Sequence, residues 1–299
     1  MSGIKTLLSE REWKALQATS SDEAIRREIV KQLIYKKADF ISVGTKIVGV
    51  QEFDNLDVKY SFPSEISVEY PVPEFAGADL SQITWTDFGF SLKKAEGRFL
   101  ISDEAMIRGT DRVQWTTGIR RCSEGIAKAK DENILDTLVN GAGDEFAATA
   151  TWDTATVAEI TGDISKAINC ILSAKGVSDT DIKNIVFVLP LKAWTGVLRV
   201  LDVEGLRMSL FNWLQQSYGI SLMPTKHFDT YGLAVLRGAD TAIHGVLRAP
   251  AGIPLVETKR HEGIGTEYIV RQFFNTKVVP ESADQATSNR IVKITGIAS

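Results

Sequence analysis

Apolar residues recur at helical spacing along some stretches of the chain and alternate with polar ones along others. The order of these stretches carries most of the information. Residues 1–19 are weakly patterned, with Trp13 and Leu16 as their main apolar content. A helix then starts at a capping box formed by Ser20 and Glu23, with Asp22 adding charge to the first turn. Ile25, Ile29, Leu33 and Ile34 follow at helical spacing, and Lys36 and Lys37 suit the C-terminal end of the dipole. The other face is charged, so this amphipathic arm helix needs a surface to lie on.

Residues 43–92 change character. Stretches 45–50, 55–62, 64–70 and 82–92 are rich in Val, Ile, Thr, Phe and Tyr, and Asn55, Pro63, Pro71, Pro73 and Gly77 punctuate them. In Ile66-Ser67-Val68-Glu69-Tyr70 the apolar side chains share one face. The pattern predicts a long antiparallel hairpin with a loose tip. Strands of about 18 to 20 residues reach about 60 Å, whereas a compact chain of this length has a radius of gyration near ~19 Å. Such a hairpin would extend beyond its own domain. Phe53, Tyr60, Phe62, Tyr70 and Phe75 would give it an appetite for a partner surface. The alternative is that these strands fold back into an ordinary sheet.

Ser102 is placed to cap a short helix carrying Asp103 and Glu104 in its first turn. Thr110 or Asp111 opens a second helix running to about Val139, with a narrow apolar stripe of Ile119, Cys122, Ile126 and Ala129 that widens at Ile134, Leu135 and Leu138. Asn140-Gly141 is its stop. About 28 residues make a helix some ~42 Å long, a spine across which other elements can lie. Arg120, Arg121, Lys128 and Lys130 are read as lying off the stripe. Residues 142–155 read as a loop. From Val157 the pattern becomes α/β: helices at 157–175, 191–200 and 208–218, a buried strand at 184–189, and short strands at 220–223, 233–236 and 241–248. The remainder returns to strand at 253–258, 267–278 and 290–297.

Composition narrows the class. The 299 residues are 44% hydrophobic and 24% charged, with 34 basic and 38 acidic side chains, a formal charge of -4. A chain of this size can bury about three-quarters of its unfolded surface, and neither low hydrophobicity nor high net charge marks it as disordered. There is no apolar run of membrane-spanning length and no secretory signal at the start. Cys122 and Cys170 read as free thiols in a reducing compartment. Balanced charge argues against a dedicated nucleic-acid binder.

No motif for catalysis stands out, whether a phosphate-binding loop, a serine elbow or a paired Cys-x-x-Cys. Gly263-Ile264-Gly265 reads as a hairpin turn. His227, His244 and His261 lack the spacing of a metal site. Asp103-Glu104 and Asp131-Glu132 read as capping and solvated charge, because helix neighbours do not face each other. No catalytic, cofactor-binding or metal-binding residue is assigned. Arg120, Arg121, Lys128 and Lys130 read first as a solvated face diluted by Glu124, Asp131 and Glu132. Their alternative is nonspecific, salt-sensitive contact with packaged nucleic acid.

Three stretches make the order of segments recognisable: Ile83-Thr84-Trp85-Thr86-Asp87-Phe88-Gly89, Ile101-Ser102-Asp103-Glu104-Ala105-Met106, and the helix ending Leu135-Asp136-Thr137-Leu138-Val139-Asn140-Gly141. Arm, extended loop, acidic-capped short helix, spine helix, α/β lobe and returning strands together resemble the major capsid proteins of tailed bacteriophages and related archaeal viruses. The resemblance implies an α+β, Hong Kong 97-like fold with an N-terminal arm (1–42), an extended β-hairpin loop (43–92), a peripheral domain with the spine helix (93–144), an axial domain (145–260) and returning peripheral strands (261–299).

It also implies a structural protein, not an enzyme, that self-assembles through hexamers and pentamers into an icosahedral shell enclosing double-stranded DNA. The arm would lie on a neighbouring subunit. Trp13, Phe53, Tyr60, Phe62, Tyr70 and Phe75 become inter-subunit contact candidates, and Arg120, Arg121, Lys128 and Lys130 inner-surface DNA contacts. Loops at 201–208 and 228–232 are candidates for ring centres, and Lys59 for an isopeptide donor. The short stretch ahead of the loop implies no fused scaffold. The implied location is the virion, assembled in the host cytoplasm, with portal, scaffold and cement proteins as further partners and no membrane. Two other readings compete: an encapsulin-type nanocompartment shell, and a cytosolic α/β enzyme using residues 155–260.

Overall fold

A computed structural model describes residues 23–63, 85–199, 209–248, 255–280 and 287–299. The first elements are α1 (Glu23–Ile41), a 3-10 turn (Gly44–Lys46), β1 (Val48–Phe53), β2 (Asp57–Pro63), β3 (Trp85–Ser91) and β4 (Lys93–Ser102). Then follow α2 (Asp103–Ile107), α3 (Asp111–Asn140), β5 (Ala142–Ala147), α4 (Val157–Leu172), a 3-10 turn (Asp179–Asn184), β6 (Ile185–Pro190), α5 (Leu191–Arg199) and α6 (Leu210–Tyr218). The last are β7 (Ser221–Thr225), β8 (Tyr231–Leu236), β9 (Gly238–Leu247), β10 (Val256–His261), β11 (Gly265–Val278) and β12 (Ser288–Thr295). The chain forms two units, one of residues up to 56 with 92–136 and 244–276, the other of 57–91, 137–243 and 277–299.

The first unit is built on a sheet of order β1-β9-β11-β10, with β4 pairing along the other side of β11. β11 runs antiparallel to both β10 and β4. Gly263, at φ 71°, makes the turn between β10 and β11 that Gly263-Ile264-Gly265 predicts. Val30, Ile34 and Ala38 of α1 join Trp115, Ile119, Cys122, Ile126 and Ala127 of α3 over Ile101, Val256, Tyr268 and Val270. The arm helix thus finds its surface within its own chain. Among its described side chains Val30, Ile34 and Ala38 are fully buried, with Ile29 and Leu33 packed at the margin. Phe99, Trp115 and Tyr268 stack at the centre, with ring centroids 4.6 to 5.8 Å apart.

Ser102 caps α2 as its position predicts: its Oγ accepts from Ala105 N–H at 3.3 Å, with Asp103 and Glu104 in the first turn. Asp131 fixes the exit of α1. Its carboxylate accepts from Ser42 Oγ at 2.6 Å and from Gly44 N–H at 2.7 Å, so it is a capping group.

The first stretch of the hairpin expected over 43–92 goes elsewhere, and residues 64–84 of it lie outside the described residues. β1 belongs to the five-stranded sheet beside β9, and β4 pairs with β11. Among the described residues β2 and β3 make the ribbon, in register from Asp57 opposite Ser91 to Pro63 opposite Trp85. The partners of β1 and β4 lie far along the sequence, where no local pattern points to them.

The second unit carries a mixed sheet of order β5-β12-β8-β6-β7. Every residue of β6 is buried, the signature of a central strand covered on both faces. Pro224 lies on edge strand β7, where a missing N–H does least harm. α4 begins with a capping box of Thr156 and Glu159 and buries Ile160, Ile164, Ala167, Ile168 and Ile171 against the sheet. Asp163 is buried on the same helix and satisfied: it accepts from Thr149 Oγ1 at 2.8 Å and Trp152 Nε1 at 3.0 Å. The stretch at 142–155 is not all loop, since Ala142–Ala147 is a strand parallel to β12.

Candidate assembly interface

The β2–β3 ribbon is two-sided by construction. Asp57, Lys59 and Ser61 are exposed, and their register partners Ser91, Gly89 and Asp87 are exposed with them. Ser91 Oγ donates to Asp57 at 2.6 Å, and Ser61 Oγ donates to Asp87 across the strands. The alternate register pairs are Val58 with Phe90, Tyr60 with Phe88 and Phe62 with Thr86. Strand alternation therefore sets an exposed polar row from Asp57 to Ser61, ended by Pro63 opposite Trp85, against a second row that begins at the buried Val58. Among the described residues the ribbon has no third strand. Isolated two-stranded ribbons are marginal in water.

Of the predicted contact residues, Tyr60 and Phe62 lie on this ribbon. Phe53 does not: it ends β1 in the five-stranded sheet, half-buried, and its carbonyl accepts from Arg248 N–H at 2.8 Å. Trp13, Tyr70 and Phe75 lie outside the described residues, as does the proposed ring-centre loop at 201–208.

A second surface escaped the sequence reading. Ile107 is 86% exposed, Val113 67% and Met106 45%, all at the α2–α3 junction. Ile264, 58% exposed, lies beside them, because its carbonyl accepts from Asp103 N–H at 3.1 Å. The signal is local: Met106 and Ile107 end the short helix α2, and Val113 lies in the first turn of α3, off its buried stripe.

The four α3 cations do not behave as a set. Arg120 pairs with Glu124 at 3.8 Å and Lys128 with Glu132 at 3.5 Å, both exposed i,i+4 pairs, and Arg121 is exposed. Such pairs lower the local positive field. Lys130 leaves the set altogether. It is 1% exposed, ion-paired to Asp39 of α1, with its ammonium 6.0 Å from the centre of the Phe274 ring. Its position four residues after Ile126 and four before Ile134 puts it on the buried stripe, so it cannot reach a phosphate from there.

A charge ladder crosses β4, β11 and β10. Glu96 accepts from Arg98 Nε at 2.7 Å and Arg271 Nε at 3.0 Å, and Arg271 also reaches Glu257 at 2.8 Å. The Arg271 and then the Arg98 hydrogen bonds hold the Glu96 carboxyl down at about 2. The thiols are held the other way: burial pushes Cys122 up to about 11 and also raises Cys170. His244, His261 and His227 are separate, bonded or packed to Thr276, Glu267 and Phe228 respectively. Among the described residues no cluster of His, Cys, Asp and Glu could hold a metal ion, and no helix is long and apolar enough to cross a membrane. What the arrangement offers is exposed surface, the polar row of the ribbon and the apolar patch around Ile107.

Comparison with known proteins agrees with that geometry. In fold the chain is similar to the virus-like particle from Pyrococcus furiosus, with a TM-score of 0.61 and 12% identity over 91% of this chain and 99% of that one. It is similar to the capsid of Myoviridae Phage XM1, at a TM-score of 0.58 and 15% identity over 87% and 92% of the two chains. The capsid of the native GTA particle gives 0.57 and 11%, over 88% and 91%. These likenesses define the Hong Kong 97-like fold. No curated protein matches the sequence. Residues 86–285 match the family described as phage capsid protein, from the ribbon's second strand almost to β12. The chain therefore belongs to the phage capsid protein family.

Proposed function

We propose that this capsid protein closes into an icosahedral shell through hexamers and pentamers, and that the shell encloses double-stranded DNA. The observation that carries the reading is the β2–β3 ribbon, which exposes Asp57, Lys59 and Ser61 with their partners and has no third strand among the described residues. The exposed Met106, Ile107, Val113 and Ile264 patch adds apolar surface that a neighbouring subunit would cover. A capsomer ring built from one repeated chain needs heterologous contacts of this kind.

Arg120, Arg121 and Lys128 are exposed and can meet phosphates, but two of them already pair with carboxylates. Any such contact is nonspecific and falls with salt. The shell would belong to the virion and assemble in the host cytoplasm, with portal, scaffold and cement proteins as partners.

Light-scattering chromatography with negative-stain microscopy tests the assembly. Closed particles or rings of five or six subunits are the expected result. A species that stays monomeric or dimeric alone and with the other virion proteins would overturn it. Nuclease-resistant DNA inside the particles supports genome enclosure; a protein cargo in its place makes the shell a nanocompartment.

A further inference from the structure

His244 sits on β9 with no exposed surface, and its hydrogen atoms can be placed by deduction. The Thr276 backbone N–H can only donate, and it meets Asn275 Oδ1 at 3.0 Å. That fixes the Asn275 amide. Asn133 of α3 must then turn its amino group to Asn275 Oδ1, at 3.0 Å, and its oxygen to Thr276. Thr276 Oγ1 therefore spends its one proton on Asn133 Oδ1, at 2.8 Å. Its contact with His244 Nδ1, at 2.9 Å, consequently requires the ring to donate. His244 carries its proton on Nδ1, and Nε2 is a bare acceptor, buried with no partner.

We propose that this chain of donors is an acid-sensitive latch: with His244 neutral it ties β9 and β11 to α3, and a proton arriving at Nε2 releases α3. The incoming N–H would have no acceptor. Lys130 of α3, ion-paired to Asp39 of α1, sets a second positive charge against it. β11 presents Thr276 and Phe274, the latter with its ring centre 5.5 Å from the imidazole, and neither carries charge. Glu52 of β1 faces Arg248, just beyond β9, at 3.9 Å. Burial first, and Lys130 second, lower the His244 value to about 3. The latch is a property of the subunit and does not depend on the shell reading.

The sign follows from linkage. A histidine held below its unfolded value, 6.5, contributes stability that is complete above that pH and is lost as the pH falls through it. Urea unfolding of the full chain from pH 7.5 to 4.5 should show the folding constant of wild type falling about tenfold per pH unit below about 6, relative to His244→Asn. Asparagine keeps an N–H for Thr276 and takes up no proton. Protection factors of the amides at 127–133, taken relative to intrinsic exchange at each pH, should fall in acid for wild type and not for the variant. Parallel unfolding curves, or α3 amides protected equally in both proteins, would overturn the latch. Nitrogen-15 histidine spectra of the native chain give an answer even should the variant fail to fold, with His244 assigned by elimination using His227→Gln and His261→Gln. A neutral Nδ1–H ring persisting to pH 5 supports the proposal, and an Nε2–H tautomer, or a charged ring in the folded protein at pH 6, sinks it.

Discussion

Glu96 on β4 accepts a hydrogen bond from Arg271 Nε on β11 at 3.0 Å, and the two anchor a ladder of alternating charge across three strands. The carboxyl is held at about 2, against 4.5 when unperturbed. Its contribution to stability is therefore complete above 4.5 and fades as the pH falls from there towards 2. The thermal midpoint of wild type should drop faster between pH 5 and 3 than that of Glu96→Gln. Superimposable acid limbs would show that the ladder is electrostatically idle.

Lys130 and Asp39 are unequal partners. The lysine is 1% exposed and the aspartate side chain 53%. Removing the aspartate strands a buried ammonium, whereas removing the lysine leaves a carboxylate that water can reach. Asp39→Ala should cost about 3 kcal/mol in urea unfolding, and Lys130→Met, which fills the space with apolar atoms, less than about 1 kcal/mol. The reverse order would mean that Lys130 finds another counterion.

A β-carbon added to Gly97 would stand 2.5 Å from Cys122 Sγ, so β4 and α3 approach more closely there than any larger residue allows. Gly97→Ala should cost about 1–3 kcal/mol. Cys122→Ala removes the obstructing sulfur, and the double variant should recover at least about 1 kcal/mol over additivity. Strict additivity in a chemical-denaturation cycle would place the cost elsewhere.

Ile107, 86% exposed, touches little within the subunit. Ile107→Asp should leave subunit stability within about 0.5 kcal/mol and sharply lower the yield of closed particles. Normal particle yield, measured by sedimentation, would remove the α2–α3 junction from the interface.

Much of this architecture can be read from local chemistry. The Ser102 cap, the spine helix to Asn140, the buried run of β6 and the Gly263 turn all depend on neighbours a few residues apart. Failures came where distant parts of the chain decide. Ala142–Ala147 holds Gly, Asp and Glu and looks like a linker until its parallel neighbour β12 is known. β1 looks like part of one hairpin with β2 and β3 until β9 claims it. Lys130 was misread for another reason. Its spacing marked it as buried, but lysine is rarely buried without a partner, and Asp39 is remote in sequence. Of the contact candidates, Tyr60 and Phe62 fall on the ribbon, while the exposed patch at Ile107 went unnoticed because single apolar surface residues are ordinary.

The position of β12 between β5 and β8 has a consequence in time. Glu145 and Lys293, cross-strand partners 3.1 Å apart, are separated by 148 residues. A ribosome makes β5 and α4 long before it makes the strand that covers them, and Val292 and Ile294 belong to the same core as Ile164 and Ile168. A nascent chain must therefore carry an incompletely roofed apolar layer through more than a third of its synthesis, a window in which a chaperone has something to hold and a stalled ribosome leaves a sticky fragment.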